Sequence, residues 1–139
     1  MSLESNKALV RRFLEEVPGK GNMAAVDELA LPGLVLHVPL PEQTPGAEGM
    51  KDIAFVCRNA FPDLKITIED MIAEGDRVAC RFTTRGTNAG QFMGMPPTGK
   101  KIDLSGIEIF RIENGKIAEI WGQADLLGLM QQLGVIPSL

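Results

Sequence analysis

The fold is decided by residues 102–134, which read IDLSGIEIFRIENGKIAEIWGQADLLGLMQQLG. Residues 102–112 have the composition of a strand, and Glu113-Asn114-Gly115 predicts a tight hairpin turn because Asn-Gly accepts positive φ. Residues 116–123 then predict the returning strand. The leucines after Asp125 recur at helical spacing. This stretch therefore predicts an antiparallel hairpin that leads directly into a short C-terminal helix.

Asp125 stands where this hairpin meets the helix. It directly precedes the leucine-rich segment, and Gly134 stands where a helix-ending glycine is expected. Both features are typical of an N-cap aspartate and a C-terminal glycine cap. The alternative interpretation is a ligand-binding carboxylate at the mouth of a cavity.

Glu108 is the second acid of interest, because it alternates with apolar residues and glycine on its strand. If that face is the core, burial would raise its pKa and suit it to proton transfer. If Ile107 and Ile109 face the core instead, Glu108 is a surface acid. The residues that share its face are Leu104, Gly106, Phe110 and Ile112.

His37 is the single histidine of the chain and lies in a weakly alternating stretch, residues 34–40, that is predicted as a strand. Histidine is the side chain whose ordinary pKa lies closest to neutrality, so His37 is a candidate for proton transfer. A histidine that is packed and hydrogen-bonded on an apolar strand is the alternative.

The remainder of the chain predicts helices first and strands later. Ser5 is the predicted N-cap of a helix that Pro18 and the following glycines end, and Asn22 is the predicted cap of a second helix through residue 29. Apolar residues recur at helical spacing over residues 50–61, whereas residues 64–73 and 77–85 alternate as strands. This order implies a single α+β domain over residues 1–139, in which a curved antiparallel sheet wraps around helices.

Composition excludes several classes of function. The chain has 139 residues and a formal net charge of -4, so it lacks the basic surface of a nucleic-acid-binding protein. No apolar run reaches membrane-spanning length, and the N-terminus does not resemble a signal peptide. Cys57 and Cys80 lie in apolar patterns and are expected to be free thiols in a cytoplasmic protein. The motifs of metal, phosphate and dinucleotide sites are missing, so we expect neither metal nor cofactor.

Two segments carry a resemblance to a known family. They are residues 86–102, GTNAGQFMGMPPTGKKI, and residues 105–134, which include RIENGKI and LGLMQQLG. Together with matching segments nearer the N-terminus, they resemble the SnoaL-like polyketide cyclases of the nuclear-transport-factor-2-like superfamily. The resemblance implies a conical barrel of N-terminal helices packed in a strongly bent antiparallel sheet, around a deep pocket. It also implies dimerisation through the outer sheet face.

The resemblance implies a chemistry as well, an intramolecular aldol cyclisation without metal or cofactor. The acid/base aspartate of those cyclases falls at the position of Gly122, which has no side chain. A pocket histidine of theirs falls at Glu108, which is therefore the acid that this matching places in the pocket. Asp125 matches an acid that the cyclases also have, which favours the cap interpretation, and Glu119 is out of phase with the pocket.

These considerations predict a site for a small apolar ligand or substrate. We expect Glu108 as the acid/base, with His37 near the mouth of the pocket as its possible partner. The expected ligand-binding residues are Phe13, Phe55, Phe110, Ile120 and Gly122.

Three functions and one assembly remain to be distinguished. The first function is a cyclase or isomerase that acts on an apolar carbonyl compound, and the second is a binding module that does no chemistry. An epoxide hydrolase is third, because the Arg-x-Asp arrangement expected for it is missing. Ile107, Ile109 and Trp121 lie opposite Glu108 by strand parity, so we also expect a homodimer that covers this apolar face.

Overall fold

The computed structural model describes residues 2–38 and 44–137, which form an α+β domain. A five-stranded sheet packs against helices that come mainly from the N-terminal half. No helix among these residues is long and apolar enough to cross a membrane. The elements are α1 (Leu3–Lys20), α2 (Ala24–Leu29), β1 (Ala30–His37), α3 (Ala47–Ala60), β2 (Lys65–Glu74), β3 (Arg77–Thr87), β4 (Lys101–Glu113), β5 (Lys116–Ala124) and α4 (Leu126–Leu133).

The two N-terminal helices begin at different residues from those predicted. Ser2, not Ser5, is the N-cap of α1, because its extended backbone lets its hydroxyl accept the Ser5 N–H at 3.0 Å. Pro18 lies inside α1, and the helix ends at Gly21, whose φ of 72° is left-handed. Asn22 does not cap α2, because its side-chain amide donates to Glu16 instead.

Strand β1 also begins earlier than predicted, at Ala30. Pro32 and Gly33 lie within it because β1 is an edge strand, where a proline needs no partner for its nitrogen. The register of β1 is irregular between Ala30 and Val35. Residues 39–40, the predicted end of this strand, lie outside the described residues.

The sheet has the order β1-β5-β4-β3-β2 and is mixed rather than antiparallel throughout. β2 to β5 pair antiparallel, as the alternation and the Asn114-Gly115 turn predict. β1 pairs parallel to β5, which corrects the expectation of an all-antiparallel sheet. No pairing joins β1 to β2 among residues 2–38 and 44–137, so the conical barrel is an open, curved sheet and not a closed one.

The core lies between α1 to α3 and the inner face of the sheet. Even-numbered residues of β4 face this core, since Ile102, Gly106, Phe110 and Ile112 are buried while Ile107 and Ile109 are exposed. Phe110 meets Phe13 of α1 edge-to-face, with ring centroids 6.1 Å apart. The parity of β4 is thereby settled, and Glu108 belongs to the inner face.

The segment between β3 and β4 is tied down by one buried amide, Asn88. Its Oδ1 accepts the N–H and the hydroxyl of Thr98 at 2.9 and 3.0 Å, and its Nδ2 donates to the Gly90 carbonyl at 2.8 Å. The backbone N–H groups of Ala89 and Gly90 both donate to the carbonyl of Ala60 at the end of α3. These bonds fix the segment against α3 and place Phe92 against Phe61.

Candidate active site

A cavity of about 180 Å³ lies between the inner face of the sheet and helices α1 and α3. Its walls are mainly aliphatic and aromatic, which suits an apolar small molecule. Phe92 from the Asn88 segment and Leu129 from α4 contribute to one end. The polar side chains on the described walls are those of Cys57, Thr84, Glu108 and Gln123.

Glu108 supplies the carboxylate of this cavity. It lies in the middle of β4, directly opposite Gly122 of β5 and Cys80 of β3. It is half-buried, and because it lines the cavity on the inner face, its remaining accessible surface is directed into that space. Burial raises the pKa of Glu108 to about 7.

Nothing in the described part of the chain neutralises the Glu108 carboxylate. No hydrogen bond or ion pair reaches it from residues 2–38 or 44–137, and no arginine, lysine or histidine of those ranges lines the cavity. The pKa of the Cys57 and Cys80 thiols rises to about 11, first through burial and second through the negative charge of Glu108. The cavity therefore holds an acid whose pKa is near neutrality, beside the protonated thiol of Cys57 on its wall and next to the protonated thiol of Cys80 on the neighbouring strand.

Three of the predicted ligand-binding residues line the cavity with Glu108, namely Phe13, Ile120 and Gly122. Phe110 lies behind the wall, fully buried in the core against Phe13. Phe55 was wrongly placed in the pocket, since its side chain is 65% exposed. The reason is helical phase, because α3 turns Met50, Ile53 and Cys57 toward the cavity and Phe55 away from it.

His37 does not lie at the pocket, which corrects the expectation for this residue. Its neighbour Leu36 lines the cavity, so strand alternation directs His37 to the outer face of the sheet. There its ring stacks on Trp121, with centroids 5.4 Å apart, and its Nε2 lies 2.7 Å from Oε2 of Glu119. Glu108 and His37 therefore occupy opposite faces and cannot act as partners.

Asp125 is an N-cap, as its sequence context predicts. Its Oδ1 accepts the N–H of Gly128 at 2.9 Å, and Gly134 ends α4 with a φ of 79°. Sequence reasoning did not place Cys57, Thr84, Gln123 or Phe92 at the cavity. The helical spacing of Cys57 with Ile53 and Met50 was the signal that could have found the first of these.

The fold and the cavity define a class of protein, a small-molecule pocket protein in which the described walls carry one carboxylate, Glu108, in apolar surroundings. The residues that the structure describes contain no cluster of three or more potential metal ligands. Comparison with known proteins gives the family. The family model of the SnoaL-like polyketide cyclases matches residues 8–133, and the chain belongs to that family.

Two curated relatives are named for their reaction. The aklanonic acid methyl ester cyclase DauD of a Streptomyces species is 30% identical over 132 residues, which cover 91% of this chain and 80% of DauD. The aklanonic acid methyl ester cyclase DnrD of Streptomyces peucetius is 29% identical over 136 residues, which cover 91% of this chain and 88% of DnrD.

Solved structures agree with this assignment. TsrD from Streptomyces laurentii superposes with a TM-score of 0.87 at 32% identity, covering 98% of this chain and 99% of TsrD. A SnoaL-like polyketide cyclase from Agrobacterium tumefaciens has a TM-score of 0.77 over 96% of this chain and 100% of its own length. Its identity is 19%, so that likeness concerns the fold alone.

Proposed function

We propose that this protein catalyses the intramolecular aldol cyclisation of an apolar, polyketide-like carbonyl compound, with Glu108 as acid and base. The observation that carries the proposal is the Glu108 carboxylate in an apolar cavity, which no polar group of residues 2–38 or 44–137 pairs and whose pKa is raised to about 7. A general base works best when its pKa lies near the working pH. The relatives named as aklanonic acid methyl ester cyclases support the same class of reaction.

The reaction requires one proton to leave carbon and return to oxygen. The Glu108 carboxylate takes a proton from a carbon flanked by carbonyl groups, and the resulting enolate attacks a second carbonyl carbon of the same molecule. The new carbon–carbon bond leaves an alkoxide, which recovers the proton from Glu108. The product is an isomer of the substrate, and the enzyme is regenerated. The apolar walls contribute by holding the two reacting carbons close together.

The first experiment uses the substrate for which the relatives are named. Aklanonic acid methyl ester is incubated with the protein, and liquid chromatography with mass spectrometry follows a product of unchanged mass. We expect conversion by the wild type and by Glu119→Gln, whose side chain lies on the outer face, but not by Glu108→Gln. Conversion by Glu108→Gln at the wild-type rate would contradict the role of Glu108.

The second candidate function is a binding module for a small apolar ligand. The observation that favours it is that, within the described ranges of the chain, no second polar group holds the Glu108 carboxylate, whereas catalytic bases are commonly oriented by a neighbour. The neutral fluorescent probe N-phenyl-1-naphthylamine tests it. Binding of this probe, combined with the absence of turnover of the ester above, would support the binding module over the enzyme.

We also propose a homodimer through the outer face of the sheet. Three isoleucines of that face are exposed, Ile72 by 64%, Ile107 by 54% and Ile109 by 37%. Ile72 of β2 and Ile109 of β4 lie in one row across the sheet with Ala79 of β3 between them, and Ile109 is the direct partner of Trp121 on β5. An apolar patch of this kind is typical of an interface. We expect sedimentation to show a dimer that Ile107→Lys disrupts and that Phe55→Lys, on an exposed helix surface, leaves intact. A wild-type monomer at micromolar concentration would contradict the proposal.

A further inference from the structure

We infer that Gly122 is a positioning residue, because its missing side chain leaves the space that the Glu108 carboxylate occupies. This space has room for one carboxylate, which could come from position 108 of β4 or from position 122 of β5. This inference rests on the proposed role of Glu108 as acid and base. It adds that the residue at position 122 determines the position and the pKa of the Glu108 carboxyl group. It also predicts that either strand could carry the acid.

The distances across the strand pair support this inference. Glu108 and Gly122 are direct partners in the ladder between β4 and β5. A Cβ atom added at Gly122 would lie 3.0 Å from Oε2 of Glu108, 3.3 Å from its Cγ and 3.2 Å from Cγ1 of Val38. The carboxylate therefore lies over the Cα of Gly122, and Val38 borders the same space. A methyl group at position 122 would therefore require the carboxylate to shift by a few tenths of an ångström, and a longer side chain would require a larger shift.

Backbone conformation does not explain the glycine. Gly122 is not among the described glycines that have positive φ, so other residues could adopt its backbone angles. The second glycine on the inner face of the hairpin, Gly106, gives a contrast. A Cβ atom there would lie 2.9 Å from the Phe82 ring, so Gly106 makes room for an aromatic ring, whereas Gly122 makes room for an acid.

Substitutions at position 122 should therefore act through Glu108. In Gly122→Ala the added methyl group must push the carboxylate away from the strand, since Val38 closes the other side. In Gly122→Asp two carboxylates would compete for one apolar space, and a shared proton is the usual result. When Gly122→Asp is combined with Glu108→Ala, the alanine on β4 leaves the space empty and the aspartate on β5 can occupy it.

Two measurements test the inference without knowledge of the natural substrate. The first is titration of the Glu108 carboxyl by NMR with ¹³C-labelled glutamate. The second is elimination of 5-nitrobenzisoxazole, a neutral apolar carbon acid. In that reaction the carboxylate takes the C3 proton, the N–O bond breaks, and a nitrile and a coloured phenoxide form. It reports directly on a base in an apolar pocket.

We expect Gly122→Ala to shift the Glu108 titration midpoint by at least about half a pH unit, and Gly106→Ala to leave it unchanged. Glu108→Ala should lower the elimination rate by about 100-fold or more. Adding Gly122→Asp to it should restore the rate to within about tenfold of the wild type, with a pH midpoint above that of an ordinary aspartate. Circular dichroism establishes that each variant is folded.

The outcomes separate this inference from the proposed function. If Gly122→Ala leaves the Glu108 midpoint unchanged and the introduced aspartate titrates at its ordinary value, the shared space is refuted. If the titrations shift as expected but the wild type does not accelerate the elimination, the result supports a space shared by Glu108 and position 122 and contradicts the role of Glu108 as a base. If Gly122→Asp alone does not fold, the alanine and double variants still decide the question.

Discussion

Two glutamates on paired strands show opposite behaviour. Glu108 faces the cavity, meets no cation among the described residues, and has its pKa raised to about 7 by burial. Glu119 faces outward, and its pKa is lowered first by the hydrogen bond with His37 and then by Arg111, whose Nε lies 3.1 Å away. The two acids belong to one hairpin, so strand parity and neighbours, not residue type, decide what each can do.

The difference teaches how a sheet can separate reactivity from stability. An acid that is held by hydrogen bonds to His37 and Arg111 stays ionised, and it serves the outer surface. An acid without a partner is held close to its midpoint, where small changes in its surroundings shift a proton. The sheet between them keeps the cations of the outer face away from the acid of the inner face.

The largest expected difference between Glu108 and Glu119 is the effect of their substitution on the rate of proton transfer. Glu108→Gln should lower the rate of 5-nitrobenzisoxazole elimination by about 10²- to 10⁴-fold, the usual contribution of a general base. Glu119→Gln should leave that rate unchanged, because Glu119 lies on the other face. Steady-state absorbance assays of both variants compare the two acids directly, and equal losses would break the comparison.

The second effect is on stability as a function of pH. The folded pKa of Glu108 is about 7 and its ordinary value is 4.5, so between these pH values the folded state keeps a proton that the unfolded state has released. The free energy of unfolding should therefore fall as pH rises through this window, by about 3 kcal/mol from this group. Urea denaturation from pH 4.5 to 8 should show this slope in the wild type and its loss in Glu108→Gln. Identical slopes would argue against a raised pKa.

Asp125 provides a third acid with a structural role alone. Asp125→Ala should lower the free energy of unfolding by about 0.5–2 kcal/mol through loss of the N-cap bond to Gly128. Asp125 does not line the cavity, so the elimination rate per folded molecule should match that of the wild type. Thermal denaturation and the absorbance assay measure the two quantities. An unchanged stability would contradict the cap.

The smallest effect concerns Glu119. Its pKa is lowered in the folded state, so the stabilisation that it gives is present above its ordinary value of 4.5 and is lost as pH falls through the lowered folded pKa. Glu119→Gln should be slightly less stable than the wild type at neutral pH, and the difference should vanish in acid. This dependence is opposite in sign to that of Glu108. A difference that grows in acid would refute the ion-pair account.

Much of the fold follows from local sequence. The alternation of β2 to β5, the turn at Asn114-Gly115 and the cap at Asp125 are set by neighbouring residues, and the structure confirms each. The parallel partner of β1 is not visible in this way, because its contacts with β5 join residues 82 positions apart, as His37 and Glu119 do. Pairing over such a distance depends on how the complete sheet assembles.

The residues of the site could be predicted from the sequence where the alternation of a strand shows which side chains face the core. Even spacing places Glu108, Ile120 and Gly122 on one side of the hairpin, and the structure has them there. His37 was misplaced because it lies one position from Leu36, which faces the cavity, and an error of one residue reverses a strand face. Phe55 was misplaced because it lies on α3 between Ile53 and Cys57, and helical phase turns it away from the cavity that both of them line. The close contact between Glu108 and position 122 depends on side-chain conformation, which periodicity does not reveal.

The parallel pairing of β1 with β5 also gives the folding of this chain an order in time. β1 is synthesised before the other strands, but its hydrogen-bonding partner is β5, the last strand in the sequence. β1 therefore cannot pair until β5 has been synthesised. Loops of this length close slowly relative to hairpins. Pulsed hydrogen exchange during refolding should therefore show the amides of β1 protected after those of β4. The strand that we expect to pair last, β1, is thus the first of the five strands to be synthesised.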